Sequence, residues 1–167
     1  IYGGDEVDDC AWPTAVAVLA NGSLCTGTLV HPRVVMYAAH CGANNPKILF
    51  GEDISTPVKT ISTELCKTYP GYKGVSDQAH DWAFCRLAKP ITDIPITPIV
   101  YGCETSAVAK GVKAAITGFG IQTQGGASGI KNWGMTTVRQ VYSMAADVGG
   151  LGETGICPGD SGGPAFV

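Results

Sequence analysis

The stretch GDSGGP (159–164) lies near the carboxyl end of the 167-residue chain, inside GICPGDSGGPAFV (155–167). It places a single serine, Ser161, between Gly159-Asp160 and Gly162-Gly163. Glycines on both sides permit a sharp turn that exposes the serine hydroxyl and the neighbouring backbone N–H groups. A serine hydroxyl is a poor nucleophile at neutral pH, so it needs a base, a group that orients the base, and donors for an oxyanion. The stretch therefore predicts a nucleophile whose partners lie elsewhere in the chain.

Composition and charge exclude several classes of protein. Charged residues make up 15% of the chain and the net charge is −3. The eleven Lys and Arg residues are scattered, so no nucleic-acid partner is predicted. No apolar stretch approaches the roughly 18 residues that a membrane span needs, and the amino terminus does not resemble a signal peptide. We therefore expect a mature, soluble product with no membrane partner.

The cysteines indicate an oxidising compartment. No C-x-x-C pair or other metal-ligand spacing occurs, so no metal site is predicted. Disulfides fit better, which favours a secreted or extracellular protein. Because the number of cysteines is odd, at least one thiol has no partner within this chain. The seven are Cys10, Cys25, Cys41, Cys66, Cys85, Cys103 and Cys157.

Strand signals dominate the chain. Seven short segments are rich in β-branched or aromatic residues and are bounded by Gly, Pro, Asn or Asp. A sustained 3.6-residue period occurs nowhere, and the 23 glycines and 10 prolines are distributed rather than clustered. This pattern predicts one all-β domain over residues 1–167. The predicted strands are 14–20, 24–30, 34–38, 58–65, 82–87, 112–120 and 135–143.

Two residues are candidates for the partners of Ser161. His40 ends VVMYAAHC, a predicted strand that runs into a cysteine able to pin it. Asp81 opens DWAFCRL, an apolar strand that would bury the surroundings of a carboxylate. Histidine, aspartate and serine are the residue types that together activate a hydroxyl for acyl transfer.

Four stretches in this order resemble the chymotrypsin family of serine proteases. They are IYGG at the amino terminus, AAHC, DWAF and GDSGGP. The resemblance implies two packed six-stranded barrels of the Greek-key type. The first would span about 14–100 and the second about 105–167. The second barrel would be incomplete here, because domains of this family continue for several dozen residues beyond the serine motif.

The resemblance also implies the activity. Ser161 would be the nucleophile, His40 the general acid and base, and Asp81 the residue that fixes the histidine tautomer. The backbone N–H groups of Gly159 and Ser161 would form the oxyanion hole. The expected function is a serine endopeptidase that works through an acyl-enzyme without a cofactor, on polypeptide substrates, and that protein inhibitors can bind.

Two further expectations concern activation and specificity. The resemblance pairs the carboxylate of Asp160 with the α-amino group of Ile1, as in an activated zymogen. It places Gly155 and Ile156 at the base of the substrate pocket. No aspartate stands there, so the residue preceding the cleaved bond is expected to be small or medium-sized and apolar.

The resemblance orders the cysteines as well. It pairs Cys25 with Cys41. We pair Cys66 with Cys85 because they fall on strands expected to run side by side. Cys10 and Cys103 remain as a third pair, and Cys157 is unpaired. A family cysteine at that position bonds to one further along, so the remainder could be a second chain joined through Cys157, the chain could be a fragment, or activity could have been lost. Exposed strand edges favour the second chain.

A catalytically inactive binding or interaction protein on the same fold is the alternative. It rests on the absent carboxyl-terminal segment and on Tyr37, which stands where the family usually has a small hydroxyl residue. A phenol there would either disturb the packing beneath His40 or replace a hydroxyl hydrogen bond.

Overall fold

The computed structural model describes residues 1–167 and consists almost entirely of β-strands. Twelve strands form two sheets, joined by loops and by three short 3₁₀ turns at Ala39–Cys41, Gln78–His80 and Gly102–Ala107. The all-β prediction is confirmed. The strands are β1 (Asp5–Glu6), β2 (Ala15–Ala20), β3 (Ser23–His31), β4 (Val34–Tyr37), β5 (Lys47–Phe50), β6 (Lys59–Ile61), β7 (Thr63–Thr68), β8 (Ala83–Leu87), β9 (Lys113–Gly118), β10 (Asn132–Val141), β11 (Ala146–Val148) and β12 (Ala165–Phe166).

The first sheet closes on itself. Its strand order is β6-β5-β2-β3-β4-β8-β7, which places β6 and β7 at opposite edges. Only Ser62 separates these two strands in the chain. They therefore form one bent strand that belongs to both edges, and the sheet is a barrel of six strands when β6 and β7 are counted together.

Residues of β2 are buried on both faces of the first sheet. Val16 and Val18 are fully buried in the barrel core, whereas Ala17 packs with Leu49 and Phe119 against the second sheet. Successive strand residues point to opposite faces, so β2 is apolar on both. Each buried valine contributes roughly 1.5–3 kcal/mol of hydrophobic stabilisation.

The second sheet has five strands. Its order is β1-β10-β9-β12, and β11 pairs with the far part of β10. β1 pairs with β10 through Asp5 and Trp133, so the amino-terminal segment belongs to this sheet although it precedes the first barrel. The predicted range of about 105–167 for the second barrel omits that strand. Two residues of strand carry too little local pattern to be found without the partner.

The two sheets meet along a seam of backbone hydrogen bonds. The N–H of Ile54 donates to the carbonyl of Gly129 at 3.0 Å, and the N–H of Lys131 donates to the carbonyl of Glu52 at 2.7 Å.

No helix in the protein is long and apolar enough to cross a membrane.

Two disulfides tie the first barrel, Cys25–Cys41 and Cys66–Cys85. Cys66 and Cys85 are direct cross-strand neighbours on β7 and β8. The predicted pairing of Cys10 with Cys103 is wrong, because both residues are free and exposed. Cys10 lies in the turn after β1, whereas Cys103 lies in the 3₁₀ turn of the connection between the sheets. Cys157 is also free.

Candidate active site

His40 lies on a short turn that a disulfide and a hydrogen bond hold in place. The 3₁₀ turn Ala39–Cys41 follows β4, and the disulfide ties Cys41 to Cys25 on β3. The hydroxyl of Tyr37 donates to the carbonyl of Gly42 at 2.8 Å, just beyond the turn. Burial raises the pKa of Tyr37 to about 12. The phenol therefore supplies a hydrogen bond beneath His40 and fits the packing there.

Asp81 holds His40 at two points. It lies between the 3₁₀ turn Gln78–His80 and β8. Its Oδ2 is 2.6 Å from His40 Nδ1, and its Oδ1 accepts the backbone N–H of His40 at 2.8 Å. One carboxylate thus fixes both the ring and the main chain of the histidine. With Nδ1 as the donor, Nε2 is left as the basic nitrogen.

The turn around Ser161 requires glycine on both sides. Gly159 has φ +100°, and a β-carbon there would lie 2.7 Å from Cα of Gly120. Gly162 has φ +83°, and a β-carbon there would lie 2.5 Å from the backbone nitrogen of Ala38. The turn therefore packs directly on the chain that leads into the histidine turn.

His40, Asp81 and Ser161 line one cavity of about 740 Å³ at the junction of the two sheets. The structure thereby brings together three residues that are remote in the sequence. No hydrogen bond joins the Ser161 hydroxyl to His40 in this arrangement. Contacts between nucleophile and base are often loose in the absence of substrate.

Both candidate oxyanion donors have their carbonyl groups held from the first barrel. The hydroxyl of Thr26 donates to the carbonyl of Gly159 at 2.8 Å, and the backbone N–H of Thr26 donates to that of Ser161 at 3.0 Å. The N–H groups of Gly159 and Ser161 donate to no other group of the chain. Thr26 follows Cys25 in the middle of β3, and its local sequence does not indicate these two contacts.

Asp160 points away from Ser161 into the protein. Its Oδ2 lies 3.0 Å from the α-amino nitrogen of Ile1, and both groups are 1% exposed. The same carboxylate accepts backbone N–H groups from Gly120 at 2.8 Å and Cys157 at 2.9 Å. Asp160 therefore ties the amino terminus to the segment that precedes the serine turn.

The two predicted pocket residues lie side by side. Gly155 exchanges two backbone hydrogen bonds with Tyr2, at 2.9 and 3.2 Å, and a β-carbon on it would meet no atom within 4 Å. Ile156 is exposed and lines the cavity that contains Ser161. The surface at Gly155 and Ile156 is open and neither residue is charged, although Asp81 lines the same cavity.

One group of possible metal ligands overlaps the site. Ligand atoms of Cys25, His40 and Cys41 lie within 4.8 Å of one another. Both sulfurs belong to a disulfide, so neither is available as the thiolate that a metal site would use.

Comparisons with known proteins agree on one family. A family model described as Trypsin matches residues 1–167. Granzyme M of Homo sapiens is 29% identical, over 98% of this chain and 72% of its own length. Brachyurin of Leptuca pugilator is 29% identical, over 98% of this chain and 80% of its own length. The solved structure of neuropsin, described as a serine protease expressed in the limbic system of mouse brain, shares the fold with a TM-score of 0.84, 22% identity, and coverage of 99% of this chain and 82% of its own.

Proposed function

Because this chain belongs to the chymotrypsin family of serine proteases, we propose that residues 1–167 act as one endopeptidase domain that cleaves peptide bonds through an acyl-enzyme. The observation that carries the proposal is the Asp81 carboxylate 2.6 Å from His40 Nδ1, in a cavity that Ser161 also lines. Nucleophilic acyl transfer needs an oriented base in the same cavity as the serine hydroxyl.

The proposed reaction proceeds in two halves. Ser161 Oγ attacks the carbonyl carbon of the peptide bond while its proton passes to His40 Nε2. The N–H groups of Gly159 and Ser161 bind the resulting oxyanion, and Asp81 stabilises the imidazolium. His40 then gives the proton to the leaving amine. In the second half, water attacks the ester of the acyl-enzyme while His40 takes its proton. The acyl group leaves as a carboxylic acid, and Ser161 is free again.

A covalent label tests this proposal. A sulfonyl fluoride should add once to Ser161, with loss of fluoride, and mass analysis of the labelled peptide should place the adduct. Ser161→Ala should abolish the adduct, whereas Ser106→Ala should leave it intact because Ser106 lies on the exposed 3₁₀ turn far along the chain. A wild-type protein that never reacts would favour the inactive binding protein instead.

For specificity, we propose a small or medium-sized apolar residue before the cleaved bond. The open space at Gly155 and the exposed apolar side chain of Ile156 support this preference. Peptide amides with alanine, valine, phenylalanine or arginine at that position should separate the possibilities. Fastest cleavage after arginine would contradict the proposal.

Activation is proposed to depend on Ile1. The ammonium of Ile1 neutralises the buried carboxylate of Asp160, and that carboxylate also orders the backbone at Cys157. The pair links a free amino terminus at this position to the shape of the serine turn. A zymogen in which Ile1 is covalently extended should therefore lack the ordered site.

The remaining partner proposals are a polypeptide substrate, protein inhibitors and a second chain bound through Cys157. The second chain is supported by the free thiol of Cys157 and by an apolar cavity of about 500 Å³ beside β12. Mass analysis with and without reductant tests it, since loss of a disulfide-linked partner should follow reduction. The two disulfides support a secreted location.

A further inference from the structure

Thr26 connects the first barrel to the serine turn through its side chain. It lies on β3 and is fully buried. Its hydroxyl donates to the carbonyl of Gly159 at 2.8 Å and accepts the N–H of Phe119 at 3.0 Å. The hydroxyl therefore has a partner on each side, and both partners belong to the other half of the protein.

The main chain of Thr26 adds a third contact to the same turn. Its N–H donates to the carbonyl of Ser161 at 3.0 Å. One residue thus holds the carbonyl groups of Gly159 and Ser161, whose N–H groups are the proposed oxyanion donors. Each of these two bonds fixes a peptide plane next to the Ser161 N–H.

The flexible member of this arrangement is Gly159. Its φ of +100° lies in a region that glycine enters freely and from which it can also leave freely. The peptide between Gly159 and Asp160 is held at both ends, by the Thr26 hydroxyl on its carbonyl and by its own N–H, which donates to the carbonyl of Cys157 at 2.9 Å. Loss of the hydroxyl removes one of these two anchors, so this peptide and the following one, which carries the Ser161 N–H, are less firmly held. Donors that are fixed before the reaction contribute most to the stabilisation of an oxyanion.

We propose that Thr26 is a positioning residue for the oxyanion hole, acting through the Gly159 carbonyl and without touching the substrate. This inference rests on the proposed function. The competing view is that Thr26 only joins the two halves and so contributes to folding alone. The two views differ in whether a folded enzyme without the hydroxyl turns over normally.

Three variants separate these views. Thr26→Val keeps the shape and removes the hydroxyl, and Thr26→Ser keeps the hydroxyl. Thr136→Val is the matched control, because Thr136 is a buried threonine on β10 whose hydroxyl has no hydrogen-bond partner. For each, kcat and KM on a small ester are measured per active site titrated, together with affinity for a peptide boronate, which binds as a tetrahedral adduct.

Thr26→Val should lower kcat about 10- to 100-fold with KM within about twofold, since misplacement near the reacting atoms costs that much. Boronate affinity should fall in parallel, and Thr26→Ser should restore both. Thr136→Val should match the wild type. A Thr26→Val enzyme with normal kcat per site and only a lower melting temperature would overturn the proposal. If valine prevents folding, Thr26→Ala is judged by the same criteria.

Hydrogen exchange supplies a readout that needs no turnover. Thr26→Val should speed exchange at the amide of Asp160, which donates to the carbonyl of Cys157 at 2.9 Å, relative to Thr136→Val, and serine should reverse the effect. Unchanged exchange there would overturn the inference even if the wild type neither hydrolyses esters nor reacts with the sulfonyl fluoride. That last result would instead remove the proposed function.

Discussion

The α-amino nitrogen of Ile1 lies 3.0 Å from Oδ2 of Asp160, with both groups out of contact with water. Breaking a buried ion pair by removing one partner costs about 3–5 kcal/mol. If that cost falls on the active conformation, an extra residue before Ile1 lowers kcat/KM by at least about 100-fold. Mass analysis must verify that the residue is retained. Asp160→Asn should lower kcat/KM in the same way, whereas Asp9→Asn, which changes an exposed acid, should not. Full activity in the extended protein would contradict the prediction.

Removing the charge of Asp81 should affect chemistry more than binding. In triads of this kind, an asparagine at the orienting position costs about 10⁴ in kcat because it favours the wrong histidine tautomer. We expect Asp81→Asn to show that loss with little change in KM on an ester substrate. Asp77→Asn is the matched control, since Asp77 pairs with His80 at 2.8 Å in the same loop. Equal losses in both variants would mean that loop order, not tautomer choice, is affected.

Tyr37→Phe should loosen the histidine turn. The carbonyl of Gly42 loses its 2.8 Å donor, which should lower the free energy of unfolding by about 1 kcal/mol. Exposed Tyr101→Phe should be neutral. Because the folded pKa of Tyr37 is about 12, above its ordinary value, its contribution is complete below about pH 10 and is lost as the pH rises through 12.

Denaturant titrations of the wild type and of Tyr37→Phe should therefore give a difference in unfolding free energy that depends on pH in a defined way. The difference between wild type and Tyr37→Phe should be constant from pH 7 to about 10 and shrink above that. A difference absorbance titration of the two proteins should isolate one phenol ionising near pH 12. A phenol that ionises near pH 10 would contradict the burial argument.

Lys131 should stabilise the amino-terminal segment. Its ammonium donates to the carbonyls of Ala11 and Trp12, at 3.5 and 3.3 Å, and lies 3.9 Å from Glu52. Lys131→Met leaves the carbonyl of Ala11 without a donor, whereas that of Trp12 still accepts the N–H of Ala15 at 3.0 Å. The substitution should cost about 1–3 kcal/mol in unfolding free energy. Exposed Lys110→Met should cost nothing measurable.

The stability difference between the wild type and Lys131→Met should change with pH in the opposite direction to that between the wild type and Tyr37→Phe. Burial lowers the pKa of Lys131, so between its folded pKa and about 10.5 the unfolded chain holds the proton more tightly. The wild-type advantage over Lys131→Met should therefore widen as the pH rises through that interval. A constant gap up to pH 10.5 would contradict the lowered pKa.

Sequence patterns located the longer strands because their apolar positions and bounding turns are local. Four strands were not predicted, since two to four residues carry little period and depend on their partners: β1, β5, β11 and β12. Segment 58–65 was predicted as one strand, whereas Ser62 interrupts it to form the bend between β6 and β7. Local pattern does not encode a bend that serves two edges of one barrel.

The site shows the same division between local and distant information. Motifs around His40, Asp81 and Ser161 are short and contiguous, so the sequence indicates them directly. The contacts of the Thr26 hydroxyl lie 93 and 133 residues away, and nothing beside Thr26 signals them. Pairing Cys10 with Cys103 was a matter of elimination, which fails when three thiols are free.

His40 and Asp81 lie beside strands of the closed barrel, whereas Ser161 lies just before β12, a strand of the second sheet. A slight slip of one unit against the other would disconnect the proton acceptor from the alcohol while each unit kept its own internal order. The turnover rate therefore depends on how the two units are aligned. A ligand or substitution that shifts their contact would change the rate without contacting a reacting atom.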